Sequence, residues 1–173
     1  QPRQIGVVAL QWWFGAGNRP IDYATSEAVY RELDRVLSRL GVAKDAALLH
    51  GFSRGASNIY AVAALDRARG RGYFGTVIAN SGGAALDYPP TRQIEDGGYG
   101  RAPLAGTRWI VSCGDRDPNP DRDGCPAMRR TAAWLERQGG TVAAIIADPR
   151  GGHGALMRDP ALMRRALDLF QGR

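Results

Sequence analysis

Short apolar segments alternate along the chain with longer segments in which apolar residues recur every three or four positions. The short segments are typical of strands buried on both faces, and the longer ones of helices with one apolar face. The predicted strands cover residues 5–13, 44–50, 73–80, 107–113 and 141–147. One helix is capped by Thr25 or Ser26 and ended by Gly41, and the others cover residues 54–68, 127–138 and 160–170. We therefore predict one α/β domain over residues 1–173, with a mostly parallel sheet and helices on both faces.

The composition indicates a folded domain and argues against a membrane span and a nucleic-acid partner. Apolar residues make up 44% of the 173 residues, enough for a packed core, and no apolar run approaches the length of a membrane span. The net charge of +6 comes mostly from arginines spread along the whole chain, because Lys44 is the single lysine. Since these arginines form no run longer than a pair, we expect a solvated basic surface and no nucleic-acid partner.

The two cysteines leave two interpretations open. Cys113 and Cys125 either form one disulfide, which would favour a secreted or periplasmic protein, or remain free thiols. The sequence gives no other indication of the compartment.

A G-x-S-x-G motif stands where a predicted strand ends and a helix begins. Its serine is Ser53, between Gly51 and Gly55. In this context the motif is typical of a nucleophile elbow, a sharp turn that lifts the serine hydroxyl above the sheet. We expect a side chain at either glycine to collide with the neighbouring strand or helix. The backbone N–H of Arg54, at the start of the helix, is the predicted oxyanion donor.

A nucleophilic serine needs a base, and the chain has two histidines. His153 lies in a glycine-rich loop after the last predicted strand, from which an imidazole reaches back over the strand ends. His50 lies inside the strand before Ser53, and we expect it to pack beside the sheet and form a hydrogen bond there. We predict that His153 is the base.

Four aspartates compete to orient His153. They follow the fourth predicted strand: Asp115, Asp117, Asp121 and Asp123. We favour Asp117, three residues past the glycine that ends the strand and fixed by Pro118. Asp115 is the second choice, and Asp121 and Asp123 are expected to lie too far along the loop.

These motifs, in the order Ser, Asp, His, resemble those of the α/β-hydrolase superfamily, and within it the group of serine esterases and polyhydroxybutyrate depolymerases. The resemblance implies hydrolysis of a small or polymeric carboxylic ester through an acyl-enzyme. In that reading Ser53 attacks, His153 carries the proton and Asp117 holds His153. It implies no cofactor and no metal.

The N-terminal part departs from this family. A second oxyanion N–H is expected there from a loop after an earlier strand, and one predicted strand precedes the elbow strand. Either the family's N-terminal strands are missing, which we favour, or residues 5–13 replace the oxyanion strand and Trp12 or Trp13 supplies the N–H. Missing strands would leave a free sheet edge and favour a homodimer.

Aromatic residues suggest a substrate pocket. Trp12 and Trp13 end the first predicted strand, and they either bind an apolar acyl group or belong to the core. Residues 81–106 form an irregular segment that is a substrate-facing flap or mobile, and Tyr88 within it suits a pocket wall.

Other functions remain open. Side-chain oxygens at alternate positions, those of Asn119, Asp121 and Asp123, suit Ca²⁺, but they do not complete a helix-flanked calcium loop, because Arg130 stands where the last glutamate ligand belongs. A non-catalytic domain of the same fold that serves binding or assembly is the first alternative. A peptidase or acyl transferase with the same three residues is the second.

Overall fold

A computed structural model describes residues 5–172 except residues 16 and 18. A short 3₁₀ helix, Pro20–Asp22, leads into α1 (Ser26–Arg39). The elements that follow are β1 (Ala47–Phe52), α2 (Arg54–Ala68), β2 (Phe74–Asn80), α3 (Pro89–Glu95), β3 (Arg108–Gly114), α4 (Cys125–Arg137), β4 (Thr141–Asp148), α5 (Ala155–Arg158) and α6 (Pro160–Phe170).

The four strands form one parallel sheet in the order β1-β2-β3-β4. Side chains alternate between its two faces. Val77, Trp109 and Val111 face a large core that α2 and α4 cover, while Ile78, Ile110 and Ile146 face a smaller one under α5 and α6. The predicted parallel sheet with helices on both faces is therefore confirmed.

Helix α2 is the centre of the larger core. Its Tyr60 is fully buried, with ring centroids 5.5 Å from both Trp109 and Trp134. The Tyr60 hydroxyl donates to the carbonyl oxygen of Gly82 at 2.6 Å, so its polar atom is satisfied inside the core. This packing fixes α2, and with it the turn that precedes it.

The predicted first strand, residues 5–13, is wrong. Within the described residues, the backbone of this segment forms one isolated antiparallel bridge, between Trp13 and Tyr23. Val7 is 86% exposed, and Phe14, just beyond the segment, is 69% exposed. A buried parallel strand needs a neighbouring strand to pair its backbone, and this segment does not join the sheet.

Three further observations bear on the predictions from the sequence. Cys113 and Cys125 form a disulfide, which resolves the alternative between a bridge and two thiols. Among the described residues, no helix is long and apolar enough to cross a membrane. The segment 81–106 contains one regular element, α3, which two prolines begin.

Candidate active site

Ser53, Asp117 and His153 come from three different connections of the sheet. Ser53 directly follows β1, Asp117 lies three residues after β3 ends, and His153 lies in the loop between β4 and α5. Because parallel strands end at the same edge of a sheet, these connections meet above it. The structure thus brings together the three residues that the sequence selected.

The three side chains form one chain of hydrogen bonds. Nε2 of His153 is 2.9 Å from Oγ of Ser53, and Nδ1 of His153 is 2.8 Å from Oδ2 of Asp117. A carboxylate can only accept, so Nδ1 carries the proton when Asp117 is ionised. Nε2 is then the acceptor for the serine hydroxyl, as a general base requires.

The turn at Ser53 is strained. Ser53 has φ 54° and ψ −123°, in a region that residues with a side chain rarely adopt. Its N–H donates to the carbonyl of Asn80 at 2.9 Å, which ties the turn to β2. A Cβ at Gly82 would lie 2.1 Å from the carbonyl oxygen of Ser53, so the segment after β2 also approaches too closely for a side chain.

The two glycines of the motif differ. A Cβ at Gly51 would lie 2.5 Å from the carbonyl oxygen of Gly55, so the strand can pass the helix only without a side chain there. No described heavy atom outside the immediate backbone lies within 4 Å of a Cβ at Gly55. The expected collision is therefore correct for Gly51 and wrong for Gly55, since the first turn of α2 points that position into open space.

Arg54 is the first residue of α2. The first four N–H groups of an α-helix have no carbonyl partner within the helix, and they lie at the positive end of its dipole. The Arg54 guanidinium lies 4.6 Å from the centroid of the Tyr23 ring. Tyr23 in turn contacts Trp12, with ring centroids 4.6 Å apart, so the N-terminal segment reaches the elbow through these side chains.

Asp117 is held rigidly. Its side chain is fully buried, and its second oxygen, Oδ1, accepts from the backbone N–H of Asn119 at 2.9 Å. Asp115, the second choice from the sequence, is exposed, and the carboxylate bonded to His153 is that of Asp117. The two loops are joined by backbone hydrogen bonds from Asp115 to Asp148 and from Arg116 to Gly151. This pairing sets the distance between Asp117 and His153.

The loop that carries His153 is tightly packed. Gly154 has φ 76°, and a Cβ there would lie 2.9 Å from the Phe52 ring. The Gly154 N–H donates to Oγ of Ser81 at 3.2 Å. The His153 ring lies 4.9 Å from the Phe52 ring, and 30% of its side chain remains exposed. Ser81 is a supporting residue that the sequence analysis missed, because its role depends on contact with a distant loop.

Asp123 corrects a second expectation. It does not lie too far along the loop, because one of its carboxylate oxygens is within 4.8 Å of a carboxylate oxygen of Asp117 and of a ring nitrogen of His153. The reason is the Cys113–Cys125 disulfide, which returns the chain to the end of β3. The cysteine spacing was the signal in the sequence that could have revealed this return.

The remaining candidates lie around the site. His50 is exposed on the sheet, and the imidazole that reaches Ser53 is that of His153. Trp12 is half-buried against the core, whereas Trp13 is 43% exposed and its indole N–H donates to the carbonyl of Gly17. Tyr88 is half-buried; burial raises the pKa of its hydroxyl, and the nearby Arg54 charge opposes that rise.

Comparisons with known proteins give the fold. A scan of protein-family models and a search of curated protein sequences both find no match. Solved structures do match, at low sequence identity. An esterase from Rhizomucor miehei has a TM-score of 0.56 at 17% identity, and the alignment covers 84% of this chain and 56% of that protein. A carboxylesterase from Bacillus cereus has a TM-score of 0.53 at 14% identity, covering 85% and 59%.

A third match is brefeldin A esterase, described as a bacterial homologue of human hormone-sensitive lipase. Its TM-score is 0.56 at 23% identity, with 92% of this chain and 55% of that protein covered. This chain therefore spans less than two thirds of each of these three solved proteins. Its fold is that of the α/β-hydrolases.

Proposed function

We propose that this protein is a serine hydrolase that cleaves carboxylic esters through an acyl-enzyme. The observation that carries the proposal is the hydrogen-bond chain from Ser53 through His153 to the buried Asp117. A hydroxyl, an imidazole and a carboxylate in this order are the parts that nucleophilic acyl transfer requires. The matched structures described as esterases support esters as the substrate class.

In the first half of the reaction, Oγ of Ser53 attacks the ester carbonyl carbon while Nε2 of His153 takes its proton. Asp117 orients the imidazole and stabilises the imidazolium that forms. The proton then passes from Nε2 to the alcohol oxygen, the C–O bond breaks and the alcohol leaves. Water repeats the cycle on the acyl-enzyme, and the acid is released with Ser53 restored. Each step uses side chains and water, and none needs a cofactor.

The negative oxygen of the tetrahedral intermediate needs hydrogen-bond donors. The backbone N–H of Arg54 is the first, since it lies at the N-terminus of α2 beside Ser53. For the second donor we propose the backbone N–H of Trp13. The hydrogen bonds around the Trp13–Tyr23 bridge are formed by Phe14 and Ala24, so that bridge does not use the Trp13 N–H.

Aromatic side chains are the proposed binding surface. Trp12, Trp13 and Tyr88 are connected to the elbow through Tyr23 and Arg54 and would contact an apolar acyl group or a segment of a polyester.

The disulfide suits an oxidising compartment, and we propose a secreted or periplasmic location. A peptidase or acyl transferase would use the same three residues, and a substrate panel separates these activities.

A second function is favoured by the exposed N-terminal segment. If residues 5–14 do not form an oxyanion site, the domain would retain the elbow without useful catalysis and serve binding or assembly. Loss of one oxyanion donor typically costs about 10²–10³ in kcat, so the two functions differ in measurable rate.

The test uses a fluorophosphonate probe and p-nitrophenyl esters of increasing acyl length. The parent is compared with Ser53→Ala and with Ser57→Ala, which removes a hydroxyl one helical turn away. We expect the parent and Ser57→Ala to be labelled on Ser53 and to hydrolyse the esters, and Ser53→Ala to do neither. A folded parent that is never labelled would favour the binding function. Ser53→Ala with full esterase activity would exclude the proposed mechanism.

A further inference from the structure

Two carboxylates, not one, face the proposed base. A nitrogen of His153 and carboxylate oxygens of Asp117 and Asp123 all lie within 4.8 Å of one another. Asp117 uses both of its oxygens, one on Nδ1 of His153 and one on the N–H of Asn119. The negative charge of Asp123 is therefore additional to the orienting hydrogen bond.

The position of Asp123 is fixed by its backbone. The N–H groups of Asp123 and Gly124 both donate to the carbonyl oxygen of Asn119, at 2.8 and 3.1 Å. A Cβ at Gly124 would lie 2.7 Å from Cα of Pro120 and 3.2 Å from Cβ of Asp117, so the loop folds back closely on itself. Cys125 then joins the loop to β3 through the disulfide. These constraints hold the Asp123 side chain near His153.

The surroundings of Asp123 act on its charge in both directions. Asp123 is half-buried, and burial raises the pKa of its carboxyl. The positive charge of His153 opposes that rise, Asp117 adds to it, and Arg122 opposes it again. Burial raises the pKa of the Tyr60 hydroxyl on α2, and the nearby Asp123 charge adds to that rise. His153 also contacts the uncharged Phe52 ring at the end of β1 and the hydroxyl of Ser53 in the turn that follows.

We propose that Asp123 is a positioning residue for the reaction, a second carboxylate that stabilises the His153 imidazolium without orienting the ring. The inference rests on the proposed function, because the imidazolium forms when Nε2 takes the Ser53 proton. At that moment one positive charge lies beside two negative ones, and it is neutralised again when the proton passes to the leaving alcohol. Asp117 selects the tautomer and ring orientation, and Asp123 favours the charged form.

The test follows His153 directly. His153 and His50 are the two histidines of the chain, so a His50→Gln variant assigns their Cε1–H signals in an NMR titration. The titration midpoint of His153 is measured in the parent, Asp123→Asn, Asp123→Glu and Asp121→Asn. Asp121→Asn is the matched control, because it removes the same charge from the same loop. The Asp121 side chain is 91% exposed. The pH dependence of kcat/KM for a p-nitrophenyl ester is recorded for the same proteins.

We expect Asp123→Asn to move the His153 midpoint to lower pH by about 1 unit, the low end for an opposite charge at this distance. The acid limb of kcat/KM should move with it. Asp123→Glu should restore both, and Asp121→Asn should leave both near the parent values. An unchanged midpoint in folded Asp123→Asn, or an equal shift in Asp121→Asn, would overturn the inference. The expected midpoint shift between the parent and Asp123→Asn, combined with a parent that neither hydrolyses esters nor reacts with the probe, would overturn the proposed function instead. The role of Asp123 in the reaction would fall with it.

Discussion

Gly51 and Gly55 occupy equivalent places in the motif around Ser53, yet their surroundings are opposite. At Gly51 the backbone of the following helix fills the space where a side chain would begin, with Gly55 O at 2.5 Å and Ala56 N at 2.8 Å. Backbone atoms cannot rotate away as a flexible side chain can. At Gly55, in the first turn of α2, the corresponding space is open.

The two alanine variants should therefore differ in sign. We expect Gly51→Ala to lower the free energy of unfolding by about 1–3 kcal/mol through overpacking. Gly55→Ala should leave it unchanged or raise it by up to about 1 kcal/mol, because alanine is the better helix former. Urea unfolding of both variants and the parent measures the difference. Equal losses in the two variants would mean that the turn relaxes around a side chain at either position.

Asp66 is a buried carboxylate outside the proposed site. It is 1% exposed; its Oδ2 accepts from the N–H of Phe74 at 3.1 Å, and its Oδ1 has no hydrogen-bond partner in the described structure. Burial raises the pKa of Asp66 above 3.8, while the backbone N–H groups and Arg67 oppose that rise. The folded protein therefore holds the proton more tightly than the unfolded chain does.

Because the pKa of Asp66 is higher in the folded protein than in the unfolded chain, the direction in which pH changes the stability is fixed. The contribution of Asp66 is fully present below its unfolded pKa of about 4 and is lost as the pH rises through its folded pKa. We expect the parent to lose stability relative to Asp66→Asn as the pH rises above about 4. Denaturant unfolding of both proteins over a series of pH values from about 4 upward measures this loss. A stability difference that does not change with pH would show that Asp66 titrates alike in both states.

The disulfide connects two elements that support the acid loop. Cys113 is in β3 and Cys125 is the first residue of α4, with a sequence separation of 12, and Asp117 and Asp123 lie between them. Closing a loop of this length stabilises a protein by about 3 kcal/mol in the chain-entropy account. Since the same loop carries both carboxylates, we expect the bridge to support the site as well as the fold.

Replacing both cysteines with alanine should lower the free energy of unfolding by about 3 kcal/mol and reduce esterase activity, because Asp117 and Asp123 are held less firmly. Activity and urea unfolding of the variant and the parent are compared, with and without dithiothreitol. The reductant should weaken the parent and leave the variant unchanged. A variant with parental kcat would show that backbone hydrogen bonds alone hold the acid loop.

The described part of the molecule has an exposed apolar segment and an unpaired strand edge. Strand β1 has a partner on one side, β2, in the described sheet. Residues 5–14 carry exposed apolar side chains, among them Val7 at 86% and Phe14 at 69%. Exposed strand edges and contiguous apolar patches both favour contact with another chain.

We therefore expect this chain to self-associate, with a homodimer as the simplest product. Sedimentation velocity at increasing micromolar concentration should show a rising sedimentation coefficient. The double variant Val7→Ser with Phe14→Ser should shift the equilibrium toward the monomer, and Val142→Ser, at a half-buried position on the opposite edge strand β4, serves as the control. A parent that stays monomeric over the whole range would contradict the expectation.

Local pattern was sufficient for most of the helices and strands and for choosing the three residues of the proposed site. The 3.6-residue periodicity predicted α1, α4 and α6, because an amphipathic helix is stabilised by its own hydrogen bonds and one apolar face. The apolar runs at residues 73–80, 107–113 and 141–147 became strands since each has a neighbour in the sheet. Ser53, Asp117 and His153 could be chosen from their places after strands, since parallel strands end at one edge.

Contacts between distant residues decided the rest. Residues 5–13 have the composition of a strand, but a strand exists only where another pairs with it, and composition does not reveal the partner. Asp123 lies near His153 because a disulfide closes the loop, and Gly55 is open because of the direction in which α2 leaves the turn. The amino-acid sequence therefore specified most of the elements and the three residues of the proposed site, whereas packing in three dimensions specified which strand had a partner, which glycine was required and how many carboxylates lie near the proposed base.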